Sequence, residues 1–127
     1  MNPLVAEWAS KAEGDFATAS REIRARKSPN YDAVCFHCQQ CAEKYLKAVL
    51  QANNKHVPKI HFLLELMGLV MSFDASFELL RADLETLEEY SVRFRYPGSF
   101  AEKNEAQAAY QATKAVREFI RRKLSLK

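Results

Sequence analysis

Residues Tyr31–Leu50, YDAVCFHCQQCAEKYLKAVL, decide the fold. At about 100° per residue, Tyr31, Val34, Cys35, Cys38, Ala42, Tyr45, Leu46 and Val49 fall on one side of a helical wheel. That apolar face is broad enough for a helix lying against a core. Opposite it runs a polar stripe, Gln40, Glu43 and Lys47, with Lys44 at its flank and Phe36 set among it. The stripe repeats at i, i+3 and i+7, close enough to act as one hydrogen-bonding unit. If the stripe is partly buried, Glu43 needs a partner on another helix or at Arg95, since Arg is the usual bidentate partner of a buried carboxylate. A solvated face with a Glu43–Lys47 pair, worth roughly a few tenths of a kcal/mol, remains the alternative.

Outward from this helix the punctuation is helical on both sides. Asn2-Pro3 is a cap followed by proline, and Leu4, Trp8, Ala12, Phe16, Ala19 and Ile23 mark one face of a first helix reaching about Lys27. Ser28-Pro29-Asn30 breaks that helix and caps the second, which ends near Asn53. A short third helix is expected over His61–Ser72. A fourth, capped by Asp74 or Ser76, carries Phe77, Leu80, Leu84 and Leu87 into Tyr90. Ser99-Phe100-Ala101-Glu102 reads as a capping box for a last helix with Ala106, Ala109, Thr113, Val116, Ile120 and Leu124 toward the core.

The fold expected is therefore all-α, an up-and-down antiparallel bundle of about five helices in one domain, 1–127. Three Gly and four Pro in 127 residues agree with it, and that length admits one core rather than two. If all five helices alternate, one pole gathers Lys47, Gln51, His56, His61, Arg93, Arg95 and Tyr96. The other then gathers Arg24, Arg26, Lys27, Arg121, Arg122 and Lys123.

A net charge of +3 permits an anionic partner without demanding one. The most apolar run, Phe62–Phe73, contains Glu65 and is too short to span a bilayer. Glu7 and Lys11 interrupt the opening region, against a secretory leader. With three cysteines, an odd count, the expectation is a cytoplasmic protein without a disulfide scaffold.

Cys35, Cys38 and Cys41 beside His37 invite a metal reading, which helix geometry opposes. Cys35 and Cys41 would stand about 9 Å apart along the axis, whereas sulfurs on one zinc lie within roughly 4 Å. We expect core cysteines, no metal site and no cofactor.

Arg93-Phe94-Arg95-Tyr96-Pro97-Gly98 is the most function-like segment: two Arg and a Tyr on a Pro/Gly turn suit a phosphate and a stacked base. Arg95 bridging helix ends, with Tyr96 packed, is the alternative. The C-terminal Arg117, Arg121, Arg122, Lys123 and Lys127 suit either nucleic acid or the helix dipole.

The string Phe36-His37-Cys38-Gln39-Gln40-Cys41-Ala42-Glu43-Lys44-Tyr45-Leu46-Lys47-Ala48 resembles the fingerprint helix of HEPN domains (higher eukaryotes and prokaryotes nucleotide-binding). That resemblance implies the partly buried reading of the Gln40, Glu43 and Lys47 stripe. Pro58-Lys59-Ile60-His61 before a Leu-rich helix, and Arg95-Tyr96-Pro97 before the last helix, fit the same family in order and spacing. The resemblance implies a homodimer through the bundle's side, with a cleft formed from the loop region of both copies. It also implies a small nucleotidyltransferase as partner, in a toxin–antitoxin pair. Many HEPN proteins look like metal-independent ribonucleases that use an Arg and, four to six residues on, a His. Here the chain departs: no His follows Arg93 or Arg95. The leading expectation is a binding protein holding nucleotide or RNA at Arg93, Arg95, Tyr96 and Lys47. The rival is a ribonuclease in which Arg95 steadies the phosphate and His61 carries the proton. A third reading is a dimerisation module without a ligand.

Overall fold

In a computed structural model describing residues 1–127, helix α2, Tyr31–Ala52, is the element the others pack around. Thirteen of its 22 residues are buried, too many for an amphipathic helix with one wet face. Its apolar side meets α1, Pro3–Ile23, and α5, Lys103–Lys123. The shorter α3, Leu63–Met71, and α4, Arg81–Arg93, complete five helices with no strand. Their common core joins Leu46 and Leu50 of α2 to Leu66 and Met67, Leu84 and Leu87, and Ile120, with all three cysteines inside it. No helix is long and apolar enough to cross a membrane.

The caps follow local chemistry. Asn2 Oδ1 accepts from the Leu4 N–H at 2.8 Å, and Asn30 Oδ1 from the Ala33 N–H at 3.0 Å. Helix α1 stops at Ile23, short of Lys27, with Arg24 as its C-cap and Arg24 Nε on the Ser20 carbonyl at 2.9 Å. The fourth expected helix divides into a 3-10 turn, Ala75–Leu80, capped by Asp74, and α4 proper. The capping box of α5 is Glu102 with Glu105, in place of Ser99 with Glu102. Asp32 Oδ1 holds the Ala101 N–H at 2.6 Å, which pins the chain outside the helix until Glu102.

Contacts give each helix its sense. Helix α1 runs against α2 and α5: Asp15 meets Lys44, Ser20 meets Tyr110 and Glu13 meets Arg117. Helices α2 and α5 run together, Asp32 against Ala101 at one end and Tyr45 against Arg121 toward the other.

The strict alternation expected of all five helices fails at α3. His61 lies beside Gln39 and Glu43, while Phe73 and Asp74 lie beside Val49 and Asn53. The connection 53–62 therefore runs back along α2 by itself, and α3 then repeats the direction of α2. An extended chain covers about 3.3 Å per residue, so a connection of this length can make the return without a helix. Val57 and Ile60 pack it onto the core.

This extra reversal reassigns the poles. The end of α4 and the start of α5 meet the start of α2, so Arg93, Arg95 and Tyr96 share a pole with Arg24, Arg26 and Lys27. Lys47, Gln51 and His56 belong toward the other end, where Lys123 pairs with Asp74 at 3.0 Å.

Candidate functional site

Two places on α2 bring the expected residues to a surface. In the middle, Glu43 is 4% exposed and takes three partners. Lys47 Nζ and His61 Nδ1 each lie 3.0 Å from Glu43 Oε2, and Gln39 Nε2 lies 3.3 Å from Oε1. Gln39 Nε2 also donates to the His61 carbonyl at 3.0 Å, and Gln40 Nε2 to Gln39 Oε1 at 2.8 Å. The Lys47 ammonium lies 5.6 Å from the centre of the Trp8 ring. His61 is held by ring and main chain, yet its side chain is 71% exposed. A carboxylate on Nδ1 fixes the ring and leaves Nε2 outward, the arrangement by which proteins orient a histidine.

At the N-terminal end of α2 lies a cleft of about 360 Å³ lined by Asn30, Asp32, Ala33, Phe36, Tyr90, Ser91, Phe94 and Arg95. The Arg95 guanidinium makes no ion pair; its side-chain contact is Ser91 Oγ at 3.4 Å. Phe36 is 48% exposed and Tyr96 65%, both large rings turned toward water. Gly98, at φ 96°, sits where a side chain would be strained, which lets the turn after Tyr96 close.

Several expectations meet corrections here. The partner of Glu43 is not Arg95. Ala33, on the Arg95 cleft, and Glu43, which holds His61, stand roughly 15 Å apart along α2 at about 1.5 Å per residue. Arg93, expected on phosphate, is turned to Glu89 at 3.3 Å and Glu105 at 2.5 Å, and stacks on Phe94 at 5.0 Å. Lys47, also expected on phosphate, is buried on Glu43.

Sequence reading passed over Gln39, the buried amide that joins Glu43 to the His61 main chain. Its i,i+4 spacing to Glu43 was the available signal. It also passed over two clusters between α1 and its neighbours. Asp15 takes His37 at 2.8 Å and Lys44 at 2.6 Å. Glu13 receives Arg117 in bidentate fashion at 2.7 Å and the Tyr45 hydroxyl, which Arg121 also contacts at 3.0 Å. Burial pushes the Glu13 carboxyl up, but the hydrogen bonds from Arg117 and Tyr45 outweigh it and hold it below its ordinary range. Burial also pushes the Cys35 and Cys38 thiols up to about 12 and Cys41 well above its usual value, so these sulfurs stay protonated and inert. No group of three or more His, Cys, Asp or Glu side chains is placed to hold a metal ion.

The HEPN domain family model matches residues 5–123 of the chain. The fold is similar to the crystal structure of TT1696 from Thermus thermophilus, at a TM-score of 0.81 over 97% of this chain and 99% of that one. Sequence identity between the two is 22%, so the likeness speaks to fold. No curated protein matches the sequence.

Proposed function

The chain belongs to the HEPN domain family, and on that premise we propose that it binds RNA or a nucleotide through the cleft around Arg95. One observation carries the reading: a guanidinium without a carboxylate stands among Phe36, Tyr90 and Phe94. Such a group is free for phosphate, and the half-exposed Phe36 ring offers a face on which a base stacks. Tyr96 adds a further ring at the rim, while Arg93, tied to Glu89 and Glu105, holds the turn in place. Arg24, Arg26 and Lys27 share this pole and extend its positive field.

A second reading, a metal-independent ribonuclease, draws on the Glu43–His61 pair and its outward Nε2. In it Arg95 steadies the pentacovalent phosphate while His61 moves the proton. In one chain His61 stands on Glu43 in the middle of α2 and Arg95 in the cleft at its N-terminal end, with no contact between them. In this reading a homodimer through the bundle's side lets a second copy supply one of the two. Family membership further supports a small nucleotidyltransferase as protein partner in a cytoplasmic toxin–antitoxin pair, with the Arg95 loop as its contact surface.

Purified protein incubated with tRNA and mRNA separates these readings. We expect retarded, intact RNA, with the shift lost in Arg95→Ala. Cleavage abolished by both Arg95→Ala and His61→Ala would establish the ribonuclease instead. RNA neither shifted nor cut would leave a dimerisation module.

A further inference from the structure

The cleft beside Arg95 contains two opposite charges that do not meet. Arg95 has no carboxylate partner, and Asp32 commits only Oδ1, to the Ala101 N–H. A carboxylate offers about four lone-pair sites, so Ala101 leaves most of its accepting capacity open. Asn30 is similar: Oδ1 caps α2 at Ala33, and its two amide N–H donors have no partner in the chain. Phe36 and Phe94 line the same cleft. A complementary ligand combines an anionic group, N–H donors and a flat ring.

We propose that this cleft selects an unpaired guanine of single-stranded RNA, with Arg95 on the adjacent phosphate and Asp32 on the base edge. The proposal rests on the RNA-binding reading above and narrows it to one base. Guanine alone presents two N–H donors side by side, N1–H and N2–H, the pattern that a carboxylate accepts. The neighbouring O6 is an acceptor suited to the Asn30 amide. Adenine and cytosine set a single amino group beside an acceptor nitrogen, which repels a carboxylate. Uracil sets one N–H between two carbonyl oxygens. In a duplex the guanine edge is already paired, so the base must come from a loop, bulge or free strand. A volume of about 360 Å³ falls within the range of single-ligand sites.

Fluorescence anisotropy with labelled oligouridylates that differ at one central position tests the inference at fixed salt. Central guanosine should bind about ten-fold more tightly than central adenosine, with inosine between because it lacks the N2 amino group. In Asp32→Asn, the side-chain oxygen can still accept from Ala101 while the other atom becomes a donor. There the guanosine-to-adenosine ratio should fall to about one. Equal binding of guanosine and adenosine by the unaltered protein overturns the guanine assignment and leaves RNA binding standing. So does a ratio that survives Asp32→Asn. If none of the oligonucleotides binds, both the assignment and the RNA reading fall together. The inosine arm needs no variant, so a destabilised Asp32→Asn protein does not remove the test.

Discussion

The middle of α2 and its N-terminal end treat charge in opposite ways. Around Glu43, Lys47, His61 and Gln39 answer the carboxylate from within the chain, and two of the three are buried with it. Around Arg95, a guanidinium and the Asp32 carboxylate line one cleft with no mutual contact. Burial makes an unanswered charge costly, so a charge that the fold encloses must be answered by the fold. A charge at the rim can wait for water or a ligand. The first region is therefore architecture, and the second is where an outside partner has something to gain.

The largest effect should come from removing the answer where burial is complete. Glu43→Ala leaves Lys47 enclosed without a counter-charge and should cost about 3–5 kcal/mol of stability, read from denaturant unfolding. A loss below about 1 kcal/mol would mean that Lys47 escapes to water, and the contrast between the two regions would collapse.

The Glu13 cluster asks whether the rule extends to α1. Its folded-state pKa is depressed, so its contribution is present above the ordinary value of 4.5 and is lost as pH falls through the lower folded value. Thermal melts should therefore show stability declining on the acid side of about pH 4.5. In Glu13→Gln that part of the decline should disappear.

Smaller still is His61→Ala. It removes one bond from a largely exposed ring while Lys47 and Gln39 remain on Glu43, so about 1 kcal/mol is expected from unfolding curves. Smallest is Arg95→Ala, within about 0.5 kcal/mol in stability because no partner in the fold loses an ion pair. That variant sharpens the comparison most when its unchanged melt is set beside its lost RNA shift.

Much of this was legible from residues. Asn2-Pro3 and Ser28-Pro29-Asn30 act locally, so the starts of α1 and α2 fall where those residues put them. The apolar wheel of Tyr31–Leu50 placed the cysteines and Tyr45 inward, and the core contains them. What pattern reading missed is decided across the chain. Nothing near Leu63 announces that Glu88, far along the sequence, will accept its N–H at 2.6 Å. The short-connection rule counts helices as reversals and has no place for an extended stretch such as 53–62 that makes a reversal of its own. The Glu43 site was half legible. Its burial follows from the stripe's place on the fingerprint helix, but its partners are Lys47, Gln39 and His61 rather than another helix or Arg95, because the connection 53–62 turns back along α2 and carries His61 with it. Tyr45 was read as core alone, because the acceptor for its hydroxyl, Glu13, belongs to another helix.

The borrowed carboxylate at the start of α3 has a consequence in time. A nine-residue helix without a side-chain cap of its own is too short to persist alone. Its first two amides are closed by Glu88, so α3 has to wait for α4 to dock before its opening turn is secured. Deuterium uptake at Leu63 and Leu64 should accordingly follow the opening of α4, the later-encoded element, rather than the fraying of the helix to which those residues belong.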